Sequence, residues 1–559
     1  MPENGKINPA MMGRLEREAI EEIAATRIGK AGAFAITLTF LLTLAIVFIV
    51  DARNIASLGK AEIQTSATYS SDNKNAAGFI KKTFNNIIAF NGNLVSWKST
   101  VENQLFEKSI VVKIMQPLGQ AVLTSMGEGA KDVMVGKDGW LFHRPSFDLL
   151  TKKTANLSSN LNGPQASITA ISELAKTLRE RGISLTIMPV WPKLSVQPEY
   201  FVGPSEVKYN LVKPAWYESW SAEVKKTGVY LHDPADSIRE AKAAQKGVAY
   251  LRTDSHWNSI TMMTCARNLA DDLVANKYIT RGSHKSLAAE RKITNEGDLA
   301  RMLRLPDKWL NFTQEETVIS EVRTGSKERW LPSRQSPVLL LGDSYSNIFS
   351  LKSMGWGEDG GFSEHLGANL GFPVDCILRN GDGAHATRAE LSAELARGND
   401  RLLGKKMVVW QFSASELTAG NWKPMTYQLG KRTNSEEYLE IAAGESHKTS
   451  ATVTSMGPVP HPTSTVYKDY VGFFELEMIS DTAHPMAKGT KVFAFGLVIN
   501  DHKWTQLAGL RPGQKISVTL GSWVDAETEF GRHQRAEPDG ELALQPPNWI
   551  RQVEPATEP

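Results

Sequence analysis

The 559-residue chain has only two cysteines, Cys265 and Cys376, and they form no C-x-x-C pair and no Cys/His cluster. That leaves no ligand set for a structural zinc site. Both lie in apolar segments and are expected to be small core residues. Charge of one sign is also lacking. With 63 basic against 61 acidic residues and a net charge of +2, no concentrated basic surface is expected, which argues against nucleic-acid binding. There is no G-x-G-x-x-G and no P-loop to cradle phosphates. No repeat recurs at a fixed period, which excludes a solenoid.

One long apolar run is present. Residues 31–50, AGAFAITLTFLLTLAIVFIV, carry no charge. Twenty helical residues extend roughly 30 Å, enough to span a hydrocarbon core. Lys6, Arg14, Arg17, Arg27 and Lys30 precede the run, and Arg53 and Lys60 follow it. Positive-inside reasoning places residues 1–30 in the cytoplasm and everything after Asp51 outside. An uncleaved anchor is expected rather than a signal peptide, since the apolar run is long and no A-x-A site follows.

Residues 51–130, which include AAGFIKKTFNNIIAF, read as a stalk or accessory helices. Beyond them, continuous apolar strands alternate with amphipathic helices. ISLTIMPV (183–190), GVYLHD (228–233), PVLLLGD (337–343), VDCIL (374–378) and KMVVWQF (406–412) are the strands. A helix is expected after Asn162-Gly163-Pro164 and ends at Gly182, another runs through Ile260, Met263, Leu269 and Leu273, and a third includes Leu391 and Leu395. This pattern predicts an α/β domain with a parallel sheet covered on both faces, over 131–440. Residues 441–465, rich in Ser, Thr, Gly and Pro, read as a linker. Strand-like runs in 466–559 predict a small all-β domain that could bind glycan. Its Trp504, Trp523 and Trp549, like Trp140 and Trp257 earlier, are assigned to packing in preference to sugar stacking.

In open α/β sheets, ligands bind beyond the carboxyl ends of the strands. Two segments at such positions carry chemistry. Gly342-Asp343-Ser344-Tyr345-Ser346 follows a strand, and a serine there can project its hydroxyl into a cleft, although Gly, Asp and Ser also favour ordinary turns. Asp254-Ser255-His256-Trp257 places a carboxylate two residues before an imidazole. In an extended segment the two side chains share a face, so Asp254 can orient His256 while the other ring nitrogen deprotonates a serine. No third metal ligand is evident nearby, and no metal is expected.

Together these motifs resemble the alginate O-acetyltransferase group, the AlgJ and AlgX type of SGNH hydrolase-like fold. The Asp-x-His motif preceding the serine matches that group's order. Gly136 to Phe142 (GKDGWLF), Pro189 or Pro192 near Lys193, Val408-Val409-Trp410 and Glu416-Leu417 fit as well. The resemblance covers roughly 131–425. It implies an SGNH-like three-layer α/β/α domain, with Ser344 as nucleophile, His256 as base and Asp254 as its orienting partner. It also implies transfer of acetyl groups to an extracytoplasmic polysaccharide through a serine acyl-enzyme. No cofactor is expected. Acetyl-CoA is cytoplasmic, so the acetyl group must be relayed across the bacterial inner membrane, and the family implies a membrane-bound O-acyltransferase (MBOAT-type) partner for that step. Arg379 and Asn380, just after VDCIL, are candidates for substrate or oxyanion contacts. Two other readings stay open: a carbohydrate acetyl-esterase using the same triad in the periplasm, and a non-catalytic glycan-binding or scaffolding subunit.

Overall fold

The structure, a computed structural model, describes residues 30–57, 109, 114, 116–152, 163–203, 211–306, 314–381, 383–431, 437–480, 489–538 and 540–555. Two compact units divide the chain, Met1–Pro117 and Leu118–Pro559.

In the first unit, the helix Lys30–Ser57 covers the apolar run 31–50. Its described large side chains, including Phe34, Phe40, Leu41, Leu44 and Ile49, are exposed. Among the described residues, no helix is long and apolar enough to cross a membrane, so the expected span is not found there; several side chains of Lys30–Ser57 lie outside the described set. The segment 1–29 and most of the expected stalk, including AAGFIKKTFNNIIAF, also lie outside it.

In the second unit, a short hairpin, β1 (Val133–Val135) and β2 (Leu141–His143), follows a helix that ends at Ser125. Strands β3 (Ser184–Val190) and β4 (Tyr230–Leu231) follow. An antiparallel hairpin, β5 (Ser286–Asn295) and β6 (Glu315–Thr324), is inserted before β7 (Val338–Gly342), β8 (Asp375–Leu378) and β9 (Met407–Ser413). The sheet has the order β4-β3-β9-β7-β8, and every pairing is parallel. β7 is buried throughout, as are nearly all of β3 and β9, as expected where both faces of a sheet are covered. The helix Pro164–Glu180 starts with Pro in its first turn and presents Ile171, Leu174 and Leu178 to the core. Ser259–Ala275 and Gly383–Ala396 complete the expected helices. Cys265 is buried and Cys376 half-buried, both as free thiols.

The linker expected at 441–465 instead contains a strand, β10 (Ser446–Met456). Its Thr449, Ala451 and Val453 are buried alternately between polar neighbours, a period of two concealed by a Ser/Thr-rich composition. Six more strands follow: β11 (Tyr470–Ser480), β12 (Lys491–Asn500), β13 (Lys503–Trp504), β14 (Lys515–Ser522), β15 (Gln534–Arg535) and β16 (Pro547–Pro555). The order β12-β16-β14-β10-β11 returns to β12, which closes a barrel around Phe474, Leu476, Val498, Ile516 and Val518. Trp523 and Trp549 are buried and pack with Phe495 and Phe530. Trp504 is half-buried, and its indole N–H donates to Pro460 O.

Candidate active site

The carboxyl end of β7 delivers the serine. Gly342 closes the strand where a Cβ would lie 2.6 Å from Ser346 Oγ and 2.8 Å from Leu378, so only glycine lets the chain turn there. Asp343 then caps a short helix, Ser344–Asn347, by accepting from Tyr345 N at 2.9 Å. Gln411 Nε2 and Ser413 N, both from β9, donate to the same carboxylate at 2.7 Å. Asp343 is therefore a structural group, tied to two adjacent strands. Ser344 sits in the first turn, where its amide has no intrahelical acceptor, and its side chain remains partly exposed.

The Asp254–His256 segment is not an extended strand. Asp254 Oδ1 accepts both the His256 backbone N–H at 3.1 Å and the ring Nδ1–H at 2.6 Å. The pairing thus comes from an Asx-type turn, not from strand alternation. Three supports hold this turn. Glu315, on β6, accepts Arg252 N, Thr253 N and Thr253 Oγ1 at 2.7–2.9 Å. Lys193 Nζ donates to Arg252 O and Leu141 O. Asn258 caps the following helix by accepting from Thr261 N.

The two segments meet. His256 Nε2 lies 2.8 Å from Ser344 Oγ. The Trp257 indole donates to Tyr345 O at 3.1 Å, and the Tyr345 ring packs edge-on against His256. Asp254 and His256 are almost fully buried. Burial, the largest influence on Asp254, raises its pKa. The hydrogen bond and charge of His256, the Asp298 amide and the Trp356 indole outweigh it and hold the carboxyl well below the usual range. For His256, burial lowers the pKa, but the Asp254 bond and the charges of Asp254, Asp298 and Asp343 raise it above the ordinary value. The site therefore pairs a carboxylate that stays ionised with an imidazole that readily accepts a proton.

The family model for the SGNH hydrolase-like domain, acetyltransferase AlgX, matches residues 133–414, which hold all three of these side chains. The chain belongs to this family. It is 23% identical over 354 residues to a probable alginate O-acetylase AlgJ of Pseudomonas fluorescens, across 60% of this chain and 83% of the relative. Against the corresponding protein of Azotobacter vinelandii it is 25% identical over 378 residues, across 64% and 86%. A solved O-acetyltransferase domain of Pseudomonas putida AlgJ is 23% identical with a TM-score of 0.41, covering 52% of this chain and 93% of that one. The family expected from the motifs at 254–257 and 342–346 is the family found.

Within this AlgX-family domain, the structure corrects the assignment of Arg379. Its side chain is fully buried, and Nη1 pairs with Glu390 at 3.0 Å and Glu537 at 2.5 Å. Glu537 belongs to the C-terminal part of the chain, and Arg535 joins both carboxylates. The end of β8, expected to open on the cleft, is covered at this point by that second domain. Asn380 is also buried. Its Oδ1 accepts from Asn347 Nδ2 at 2.8 Å and its amide group faces Met354 sulfur. Asn380 thus buttresses the short helix carrying Ser344. Trp257 and Trp140 are buried, with Trp140 stacked on Tyr200.

Sequence reading missed Asp298. Its N–H donates to Asp254 Oδ2 at 3.0 Å, and its carboxylate accepts Ser255 N and Oγ. Gly297 permits this approach, since a Cβ there would sit 2.2 Å from Thr253 O. Burial and the neighbouring Asp254 push the Asp298 carboxyl up. Asp254, His256 and Asp298 bring ligand-type atoms within 4.8 Å of one another, the one such grouping among the described residues. All four carboxylate oxygens already accept donors, however, and His256 Nε2 faces Ser344. A cation would have to displace these bonds, so the set fits an orienting network better than a metal site.

Proposed function

We propose that this chain is a polysaccharide O-acetyltransferase that works through an acetyl-Ser344 intermediate. The observation that carries the proposal is the continuous chain Asp254–His256–Ser344, with bonds of 2.6 and 2.8 Å. Family membership and the probable alginate O-acetylases among its relatives support it.

In the first half-reaction, Ser344 Oγ attacks the acetyl carbonyl as its proton passes to His256 Nε2. Asp254 stabilises the imidazolium without taking its proton. The Ser344 amide, at the start of its short helix, would donate to the oxyanion. Collapse expels the donor's oxygen or sulfur, which takes the proton from His256, and leaves acetyl-Ser344. In the second half, a sugar hydroxyl gives its proton to His256 and attacks the ester. Collapse breaks the bond to Oγ, Ser344 recovers the proton, and the acetylated sugar leaves. No step calls on a cofactor.

The membrane setting belongs to the same proposal. The charge-free run 31–50, with its exposed Phe34, Phe40 and Leu44, supports an inner-membrane anchor that keeps the catalytic unit in the periplasm. An MBOAT-type partner would then relay acetyl groups from the cytoplasm, and the acceptor would be an alginate-like or other exopolysaccharide.

The test uses the full-length protein with a small acetyl ester, with and without an oligosaccharide acceptor. Acetylated oligosaccharide is expected, together with its loss in Ser344→Ala. Hydrolysis without transfer would point to an esterase. Unchanged transfer by Ser344→Ala would refute the proposal.

A further inference from the structure

The C-terminal domain contributes to the site. The loop 457–469 joins β10 to β11 and is fixed at several points to its own domain. Gly457 N donates to Phe473 O, the Trp504 indole to Pro460 O at 3.1 Å, His502 N to Lys468 O at 2.8 Å, and Asp501 N to Asp469 Oδ1 at 2.9 Å. From this loop Tyr467 leaves its own domain, packs against the core of the α/β domain and comes within side-chain hydrogen-bonding reach of Ser344.

The two domains are held in register by buried polar contacts. Arg532 O accepts from Asn380 N, and Arg532 Nη1 donates to Ser350 Oγ at 2.6 Å. Arg397 Nη1 donates to Ala543 O at 2.9 Å, and Arg379, Glu390, Arg535 and Glu537 form the charge network described above. A domain fixed in this way can position a side chain to the accuracy that chemistry requires.

The geometry points to Tyr467 as a further catalytic group, supplied by the β-barrel domain, that donates its phenolic hydrogen to Ser344 Oγ. The direction of the bond follows from proton accounting. The Ser344 proton lies toward His256 Nε2, so the phenol must be the donor. Burial raises the phenol's pKa, the Ser344 hydroxyl acts against it, and the charges of Asp298, Asp343 and Asp254 add to the rise, so the net shift is upward and the proton stays in place. When acetyl-Ser344 breaks down, negative charge develops on Oγ as its bond to the acyl carbon opens. A hydrogen bond from Tyr467 stabilises that charge while His256 returns the serine proton. No proton is consumed at Tyr467. The inference rests on the role proposed for Ser344 and adds that the active site is composite.

The test compares full-length wild type, Tyr467→Phe, Ser344→Ala and Tyr438→Phe on a small acetyl ester. Rates of the variants that keep Ser344 are normalised to active sites titrated with a serine-directed sulfonyl fluoride, so any unfolded fraction is removed, and the Ser344→Ala rate is referred to the folded protein measured by its thermal melt. Tyr467→Phe is expected to lower kcat roughly a hundredfold, the scale of losing one donor to a developing oxyanion, with KM falling alongside as acetyl-Ser344 accumulates. Tyr438, whose hydroxyl donates to Glu475 within the β domain, serves as the control and should be unaffected. An inactive Ser344→Ala beside Tyr467→Phe at wild-type kcat would overturn the inference alone. Turnover surviving in Ser344→Ala would overturn both the inference and the function on which it rests.

Discussion

If Asp254 has the role proposed for it, replacing it with Asn should separate catalysis from stability, because of the bonds it makes. Four donors converge on the two oxygens of Asp254. His256 N–H and Nδ1–H reach Oδ1, while the Trp356 indole and Asp298 N–H reach Oδ2. Asparagine keeps one oxygen and brings an NH2 group, which must face donors on one side. Facing Trp356 and Asp298, it would leave two buried donors unpaired, each costing about 1–3 kcal/mol. Facing His256, it orphans only the backbone N–H, because the ring can move its proton from Nδ1 to Nε2. The second arrangement is cheaper by roughly one buried hydrogen bond. An imidazole protonated at Nε2 cannot accept the Ser344 proton, so the stable arrangement is the inactive one. Loss of the carboxylate also removes the charge that stabilises the imidazolium. We expect kcat to fall by roughly 10³–10⁴, the scale seen when a triad loses the correct tautomer, with a stability loss of only about 1–3 kcal/mol. Active-site-titrated kinetics and thermal melting measure the two effects separately. A folded Asp254→Asn protein with kcat within tenfold of wild type would refute the reasoning.

Three further outcomes follow from the same geometry. Because His256 must be neutral to accept a proton and its pKa is raised, kcat/KM should fall on the acid side with a midpoint above 6.5; a midpoint below that value contradicts the electrostatic account. Arg379→Met should lower Tm by leaving Glu390 and Glu537 short of a partner. The cost should sit near 3 kcal/mol, because Arg535 still pairs with both and Glu537 is more than a third exposed, and KM should not change; a raised KM at unchanged Tm would instead assign Arg379 to substrate. Gly297→Ala should lower both Tm and kcat, since its Cβ would meet Thr253 O at 2.2 Å and Asp254 N at 2.5 Å and push the loop off the triad; wild-type values for both would show that this contact is dispensable.

The parts of this molecule that can be read from its sequence are those with local causes. Strands β3, β7 and β9 are short apolar runs buried on both faces, so composition alone reveals them. Ser344 and His256 stand beside turn-forming residues at element boundaries, and their neighbours carry a recognisable order. What was not legible depends on distant partners. Asp298 lies in an unremarkable Gly-Asp pair and acquires its role only because the chain folds back on Thr253. Glu315 looks like one acid in the stretch Gln-Glu-Glu, yet it holds three donors of the Asp254 turn. Arg379 was placed at the correct end of the sheet and given the wrong partner, because nothing in VDCILRN indicates that another domain covers it. β10 was missed for a different reason, since its buried Thr and Ala are too small to show the alternation that Val and Ile make obvious.

These long-range contacts also bear on the choice between transfer and hydrolysis. A triad alone activates water as well as it activates a sugar hydroxyl, so under the proposed mechanism selectivity must come from what surrounds the acyl-serine. Here Asp254 and His256 are sealed beneath Trp356, Trp257 and Tyr345, and of the three chemical groups only Ser344 keeps appreciable exposure. Tyr467 of the second domain packs against the α/β domain close to Ser344. An acceptor long enough to touch both domains would displace water from the ester as it binds, whereas a small alcohol would not. The ratio of transfer to hydrolysis should therefore rise with oligosaccharide length at a fixed concentration of acceptor hydroxyls, as measured by product analysis. A ratio independent of length would mean that the second domain does not take part in acceptor selection.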